Sequence, residues 1–305
     1  MKSILKAKVL TLLIFSMSFT LLFLINNPQY FDERENNYNL KLSDLSEKIH
    51  IDNNWSNAKT AGICTGYGNS THPYIIEDLI IDAGNIGSCI LIENTNDYFK
   101  IENCTLYNSE FFTTYGGISL DNVTNGVITN NTLYDNFDGI YLNSGTNHAI
   151  IANNIYNCDT GLELLYSNDN ILYLNSLENN NIDIFYLYSN NTYYSQKKIL
   201  YTYNGNNYTS YLGNYWDNYI GSDDNGDGVG ESAFTVTPFE PGVNKSVLRD
   251  EYPLIAPLTN YNIIGFAEEG PGLISGYNAF LVIGIISIAI IFFLRRTKIR
   301  SKFQL

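Results

Sequence analysis

The chain has 305 residues, 45% of them apolar and 14% aromatic, enough to bury one sizeable core with appendages. All 31 acidic residues lie between Asp32 and Glu269 with only nine of the 17 basic ones, so that segment is 22 charges negative while both ends are basic. Such a surface repels nucleic acid and anionic headgroups, and suits a salty exterior, divalent cations or neutral sugars.

Residues 1–26 read as an export signal, cleaved or kept as an anchor. Lys2, Lys6 and Lys8 precede an apolar run from Val9 to Ile25. A polar, flexible segment is expected over 27–44. Eight Asn-x-Ser/Thr sequons follow, at Asn54, Asn69, Asn103, Asn122, Asn130, Asn190, Asn207 and Asn244, and these are candidate glycosylation sites in an exported chain. Cys64, Cys89, Cys104 and Cys158 are even in number, which permits disulfides. Four cysteines allow three pairings and nothing selects one; buried free thiols are the alternative.

The middle of the chain repeats every 22 residues. Gly117-Ile118-Ser119-Leu120 returns as Gly139-Ile140-Tyr141-Leu142 and Gly161-Leu162-Glu163-Leu164. Ile128-x-Asn130-Asn131-x-Leu133 returns as Ile150-x-Ala152-Asn153-x-Ile155 and Leu172-x-Leu174-Asn175-x-Leu177; Ile101-x-Asn103-Cys104-x-Leu106 precedes it, and Asp183-Ile184-Phe185-Tyr186 is a fainter echo of the first motif. Apolar residues alternate in twos, the period of a strand with one buried face, and Asn, Gly and Asp mark corners. The predicted fold is all-β: a right-handed parallel β-helix over 45–212 whose strands pair with their equivalents one coil away, about 4.8 Å apart. Ile118, Ile140 and Leu162 should form one inner column and Ile128, Ile150 and Leu172 another, with Asn131, Asn153 and Asn175 stacked at a corner.

Residues 213–260 read as a terminal motif, built from Gly213-Asn214-Tyr215-Trp216-Asp217-Asn218-Tyr219, an acidic loop and Asp250-Glu251-Tyr252-Pro253-Leu254. A linker is expected over 261–272. Residues 273–294 are uncharged and long enough to span a bilayer, and the tail over 295–305 carries Arg295, Arg296, Lys298, Arg300 and Lys302. The positive-inside rule puts that tail in the cytoplasm, so the expected product is a single-pass cell-membrane protein whose main domain is extracellular.

The Ile-x-Asn-Asn-x-Ile and Gly-Ile-x-Leu repeats, with the terminal motif, resemble the parallel β-helix family around NosD, which includes many archaeal surface proteins. The resemblance covers about residues 72 to 258, and the tail from Gly270 resembles archaeal sorting segments. The family name implies copper. Soft copper sites use Cys, Met and His, yet both methionines, Met1 and Met17, lie in the signal and His50, His72 and His148 are far apart in sequence, so copper is not expected and the histidines read as solvated turn residues.

Three further sites are candidates. Asp223, Asn225, Asp227, Val229 and Glu231 match the first half of a calcium loop, but Phe234 stands where the bidentate Glu belongs, so Glu231, Asp217 or Asp250 would have to complete the shell; an acidic turn without metal is the alternative. Tyr107, Tyr134 and Tyr156 should point outward one coil apart, as a platform for carbohydrate or another surface polymer, or as a stabilising ladder. Asp135, Asp138, Asp159 and Asp183 are the acids a glycoside hydrolase could use. A lyase is disfavoured because no Lys or Arg lies between Ile101 and Gln196. The favoured reading is a non-catalytic, carbohydrate- or polymer-binding scaffold, with a carbohydrate-active enzyme as the alternative.

Overall fold

The computed structural model describes residues 45–111, 115–237 and 247–267. The signal, the 27–44 segment, the 273–294 span, the basic tail and Asn244 lie outside the described residues. Among the described residues no helix is long and apolar enough to cross a membrane.

Five full coils follow one another, each giving three short strands. They are β1 (Ile49–Asp52), β2 (Tyr74–Glu77) and β3 (Ile80–Asp82); β4 (Ile90–Thr95), β5 (Phe99–Glu102) and β6 (Thr105–Tyr107); β7 (Gly116–Val123), β8 (Gly126–Thr129) and β9 (Thr132–Tyr134); β10 (Asp138–Asn143), β11 (Ala149–Ile151) and β12 (Asn154–Tyr156); β13 (Thr160–Leu165), β14 (Ile171–Tyr173) and β15 (Ser176–Glu178). A sixth coil opens with β16 (Ile182–Leu187) and ends with β19 (Tyr215–Trp216). Equivalent strands pair in parallel to build three sheets, β1-β4-β7-β10-β13-β16, β2-β5-β8-β11-β14 and β3-β6-β9-β12-β15-β19. This is a parallel β-helix, and its first coil starts at Ile49, well before residue 72.

Register fixes the inner columns. Ile90, Ile118, Ile140, Leu162 and Ile184 are successive partners in the first sheet, Ile101, Ile128, Ile150 and Leu172 in the second, and Leu106, Leu133, Ile155, Leu177 and Trp216 in the third. All of them are buried, and each contributes about 1.5–3 kcal/mol of apolar burial. A helix α1 (Trp55–Thr60) between β1 and β2 brings Trp55 into the same core, where its ring stacks on Tyr74 at 4.7 Å and its indole N–H donates to Thr95.

The corners depend on left-handed backbone. Asn103 and Asn130 take positive φ between the second and third sheets, as their chemistry favours, and the stacked coils impose the same conformation on Ala152 (φ 57°) and Leu174 (φ 59°).

One part of the architecture departs from the solenoid reading. Between Ser195 and Leu212, whose backbones bond across a neck, the sixth coil leaves its path as a hairpin of β17 (Ile199–Tyr203) and β18 (Asn206–Ser210). The turn is Asn204-Gly205, both at positive φ, the residue pair that two-residue hairpins favour. Residues 261–272, expected as linker, begin with β22 (Tyr261–Phe266), which pairs antiparallel with β17. Ile199, Tyr201, Tyr203 and Tyr261 cluster with Val127, Ala149, Ile151 and Tyr173 from the outer side of the second sheet, making a second apolar core. Residues 213–216 return to the coil as β19 rather than opening a separate motif. Beyond them β20 (Phe234–Val236) pairs with β21 (Leu248–Asp250), and Phe234 stacks on the buried Trp216 at 4.5 Å.

Candidate ligand-binding face

Tyr107, Tyr134 and Tyr156 sit in register on the third sheet, each next to an inward Leu or Ile, so they point outward. Their rings are nearly parallel, with centroids 4.9 Å apart for Tyr107–Tyr134 and 5.3 Å for Tyr134–Tyr156. The row continues into Asp82 at one end and Glu178 at the other. Neighbouring rings cover each other's faces, so what this row offers a ligand along its length is ring edges and hydroxyls repeating once per coil. Burial, with the charge of Asp82, raises the Tyr107 phenol; burial and the adjacent phenols raise Tyr134 further, keeping both hydroxyls protonated donors.

At the corner that leads into this sheet lies a continuous amide chain. Asn131 Nδ2 donates to Asn153 Oδ1 (3.0 Å), Asn153 to Asn175 (2.9 Å) and Asn175 to Asn214 (2.9 Å), and the backbone N–H of each donates to the same acceptor oxygen. The chain ends on the fully buried Asp250, whose carboxylate receives Asn214 N–H, Asn214 Nδ2, Tyr252 N–H and the Trp216 indole N–H. Burial outweighs those donors and brings Asp250 up to about 7. Gly213 is obligatory there, since a Cβ would stand 1.9 Å from an Asp250 oxygen.

Among the other candidates, the acidic loop closes on itself. Asp223 accepts Asp227 N–H and Gly228 N–H, Asn225 accepts Asp227 N–H, and Asp227 accepts Val229 N–H and the Asn225 amide. Tyr201 and Tyr261 hydroxyls hold its carbonyls at Asp227 and Gly228. Glu231 is exposed, Asp217 accepts Asn179 N–H, and Asp250 ends the amide chain. Among the described residues no three His, Cys, Asp or Glu side chains are placed to hold one metal ion.

His148 is not a solvated turn residue. It is 1% exposed, its Nδ1 accepts Gly126 N–H (3.0 Å), and its Nε2 lies 2.9 Å from Val123 O, an arrangement that assigns the Nε2–H tautomer. Burial lowers its pKa to about 4. Gly126 makes room for the ring, because a Cβ there would meet it at 2.8 Å. His50 contacts Glu93, and His72 meets Thr71 in an exposed turn. All four cysteines are buried and unpaired, so no disulfide forms, and burial pushes Cys89, Cys104 and Cys158 up to about 12. Of the sequons, Asn54, Asn69, Asn103, Asn122, Asn190 and Asn207 are exposed and Asn130 is half-buried.

Sequence reasoning named Asp138 and Asp183 but missed Glu163, the acid that accompanies Asp138. Asp138, on β10, is fully buried, and neither carboxyl oxygen makes a hydrogen bond of ordinary geometry, the side chains of Thr160 and Glu163 being those that act on it. Its titrating neighbour is Glu163 on β13, and burial followed by the Glu163 charge pushes Asp138 up to about 9; burial also raises Glu163. Asp183, with one oxygen equally unpartnered, rises to about 7 through burial and then Asp217. Asp135 and Asp159 do not join this pair as unpartnered acids; Asp159 accepts the Asn181 amide.

A family model described as "Periplasmic copper-binding protein (NosD)" matches residues 24–221. No curated protein and no solved structure matches the chain. The donors do not fit the copper in that description. The thiols are separate, buried and held neutral, both His148 nitrogens are occupied, and no methionine lies in the described residues. With β-helix coils, corner asparagines and a match over more than half its length, the chain belongs to the NosD family.

Proposed function

We propose that this protein is a membrane-anchored, extracellular, non-catalytic scaffold that presents the Tyr107–Tyr134–Tyr156 face to an extended carbohydrate or similar surface polymer. The observation that carries this reading is the row itself. Hydroxyls and ring edges repeat once per coil between two carboxylates, a periodic strip suited to a repeating polymer rather than a compact small molecule. The amide chain at the adjoining corner ties the coils that carry the strip, which limits the ordering cost of binding. Anchoring rests on the uncharged 273–294 stretch and the basic tail, and export is consistent with six exposed sequons.

Hydrolysis is disfavoured by the same geometry that reveals the acids. Retaining glycosidases hold two carboxyls about 5–5.5 Å apart and inverting ones about 6.5–9.5 Å apart, with the substrate between. Asp138 has no solvent-exposed surface, so a polysaccharide chain cannot reach it from outside to sit between it and Glu163.

The test is retention of the full-length protein on insoluble and arrayed polysaccharides, comparing wild type with Tyr134→Phe. That variant keeps the stack and removes one hydroxyl. Weaker retention with unchanged melting supports a binding face; equal retention, or none by wild type on any neutral or acidic polymer, leaves the row as a structural ladder only. Protease added to intact cells should remove the acidic segment, and its protection would overturn the orientation.

A further inference from the structure

The outer side of the first sheet holds a group of atoms that the polymer-binding reading does not use. Ile140, Leu142, Leu162 and Leu164 point inward, so Tyr141, Glu163 and Phe185, which are register partners, point outward in one column. Asp138 lies beside them, because the alternation breaks at Gly139, which itself faces the core: a Cβ there would meet Ile155 Cγ2 at 2.4 Å. It is 0% exposed, neither oxygen makes a hydrogen bond of ordinary geometry, and the side chains that act on it are Thr160 and Glu163, although buried carboxylates are ordinarily satisfied by N–H, O–H or a cation. One Asp183 oxygen, two coils on from Asp138, is in the same condition. No Lys or Arg occurs from residue 102 to residue 195, so no side chain of these coils can supply the missing positive charge.

We propose that Asp138 and Glu163 bind a hard divalent cation of the Mg²⁺ or Ca²⁺ class on the outer side of the first sheet. The donor set is purely oxygen, which selects such ions over soft copper. Two carboxylates match a partly hydrated ion, because Mg²⁺ in particular keeps several waters and takes one or two protein carboxylates. Glu163 is half-buried and forms the route from solvent, whereas Asp138 forms the closed floor. The self-closed loop at Asp223–Asp227 is a separate feature, and its oxygens are already engaged by backbone N–H groups.

The probe is Tb³⁺, an oxygen-seeking ion whose emission is sensitised by a nearby tyrosine, here Tyr141, titrated into full-length protein and displaced with Mg²⁺ or Ca²⁺. Wild type and Asp227→Asn should give the same saturable emission, which Glu163→Gln and Asp138→Asn should each abolish. Emission that survives in Glu163→Gln, that disappears in Asp227→Asn, or that never appears in wild type overturns the proposal. Glu163 lies on the surface side of the pair, so the Gln variant decides the question even if Asp138→Asn does not fold.

Discussion

Two buried polar regions sit on the same coils and are treated in opposite ways. At the corner before the third sheet, Asn131, Asn153, Asn175 and Asn214 satisfy one another and end on a carboxylate with four donors. On the first sheet, Asp138 and Asp183 are as deeply placed and keep unpartnered oxygens. An amide carries both donor and acceptor and can repeat indefinitely along a solenoid, whereas a carboxylate only accepts and cannot stack on its own kind without a proton or cation. Asparagine therefore supports the structure wherever it repeats, and an isolated buried aspartate marks a place where something else is required.

The largest expected effect comes from breaking the amide chain. Asn153→Ala leaves the Asn131 backbone N–H without its acceptor and removes one bond each from the Asn131 amide and the Ile128 and Ile151 carbonyls, so a loss of about 3 kcal/mol is expected from urea unfolding.

The opposite substitution sharpens the contrast. In chelator at pH 8, Asp138→Asn removes a fully buried acid beside the like-charged Glu163, and a gain of about 1–2 kcal/mol is expected. The sign follows from linkage. Asp138, Asp183 and Asp250 all have folded pKa values raised above the ordinary 3.8, so the stability they contribute is complete below about pH 4 and is lost as pH rises through 7 and on to 9. Wild type without divalent ions should therefore melt higher at pH 5 than at pH 8, and Asp138→Asn should flatten that difference. A wild-type Tm that rises with pH would contradict it.

Smaller again is the tyrosine row. Tyr134→Ala removes two stacking contacts on an outer face and should cost about 1 kcal/mol by thermal melting, well below the Asn153 effect. Least of all, Ala152→Gly relieves a left-handed corner that alanine adopts only because its neighbours impose it. The gain should be under about 1 kcal/mol, offset by the greater freedom of glycine in the unfolded chain.

The coils, the inner columns, the asparagine stack and the outward tyrosines were legible because each follows a 22-residue period that alternation converts directly into facing. What lacked a period was hidden. The lateral sheet of β18, β17 and β22 occurs once, and its signals were local: Asn204-Gly205 as a hairpin turn, and the unbroken apolar run Ala149-Ile150-Ile151, which says that both sides of the second sheet are covered. His148 looked like a turn residue because its burial depends on Gly126 one coil earlier, a relation that spacing shows and one-coil reasoning does not. Asp138 was ordinary as a turn aspartate; only its burial, set by packing across strands, makes it unusual.

The direction of the amide chain has a consequence for how such a molecule can change in length. Every link donates toward the carboxyl-terminal end, so a duplicated 22-residue unit inserted between Asn131 and Asn175 would find an acceptor ahead of it and a donor behind it, and would lengthen the tyrosine strip by one rung. Past Asn214 no such insertion is tolerated, because Asp250 accepts but cannot pass a hydrogen bond on. The scaffold thus behaves as a ruler with an expandable middle and one fixed stop, and related chains should differ by whole coils upstream of that aspartate while keeping the Asn-Tyr-Trp strand and its carboxylate together.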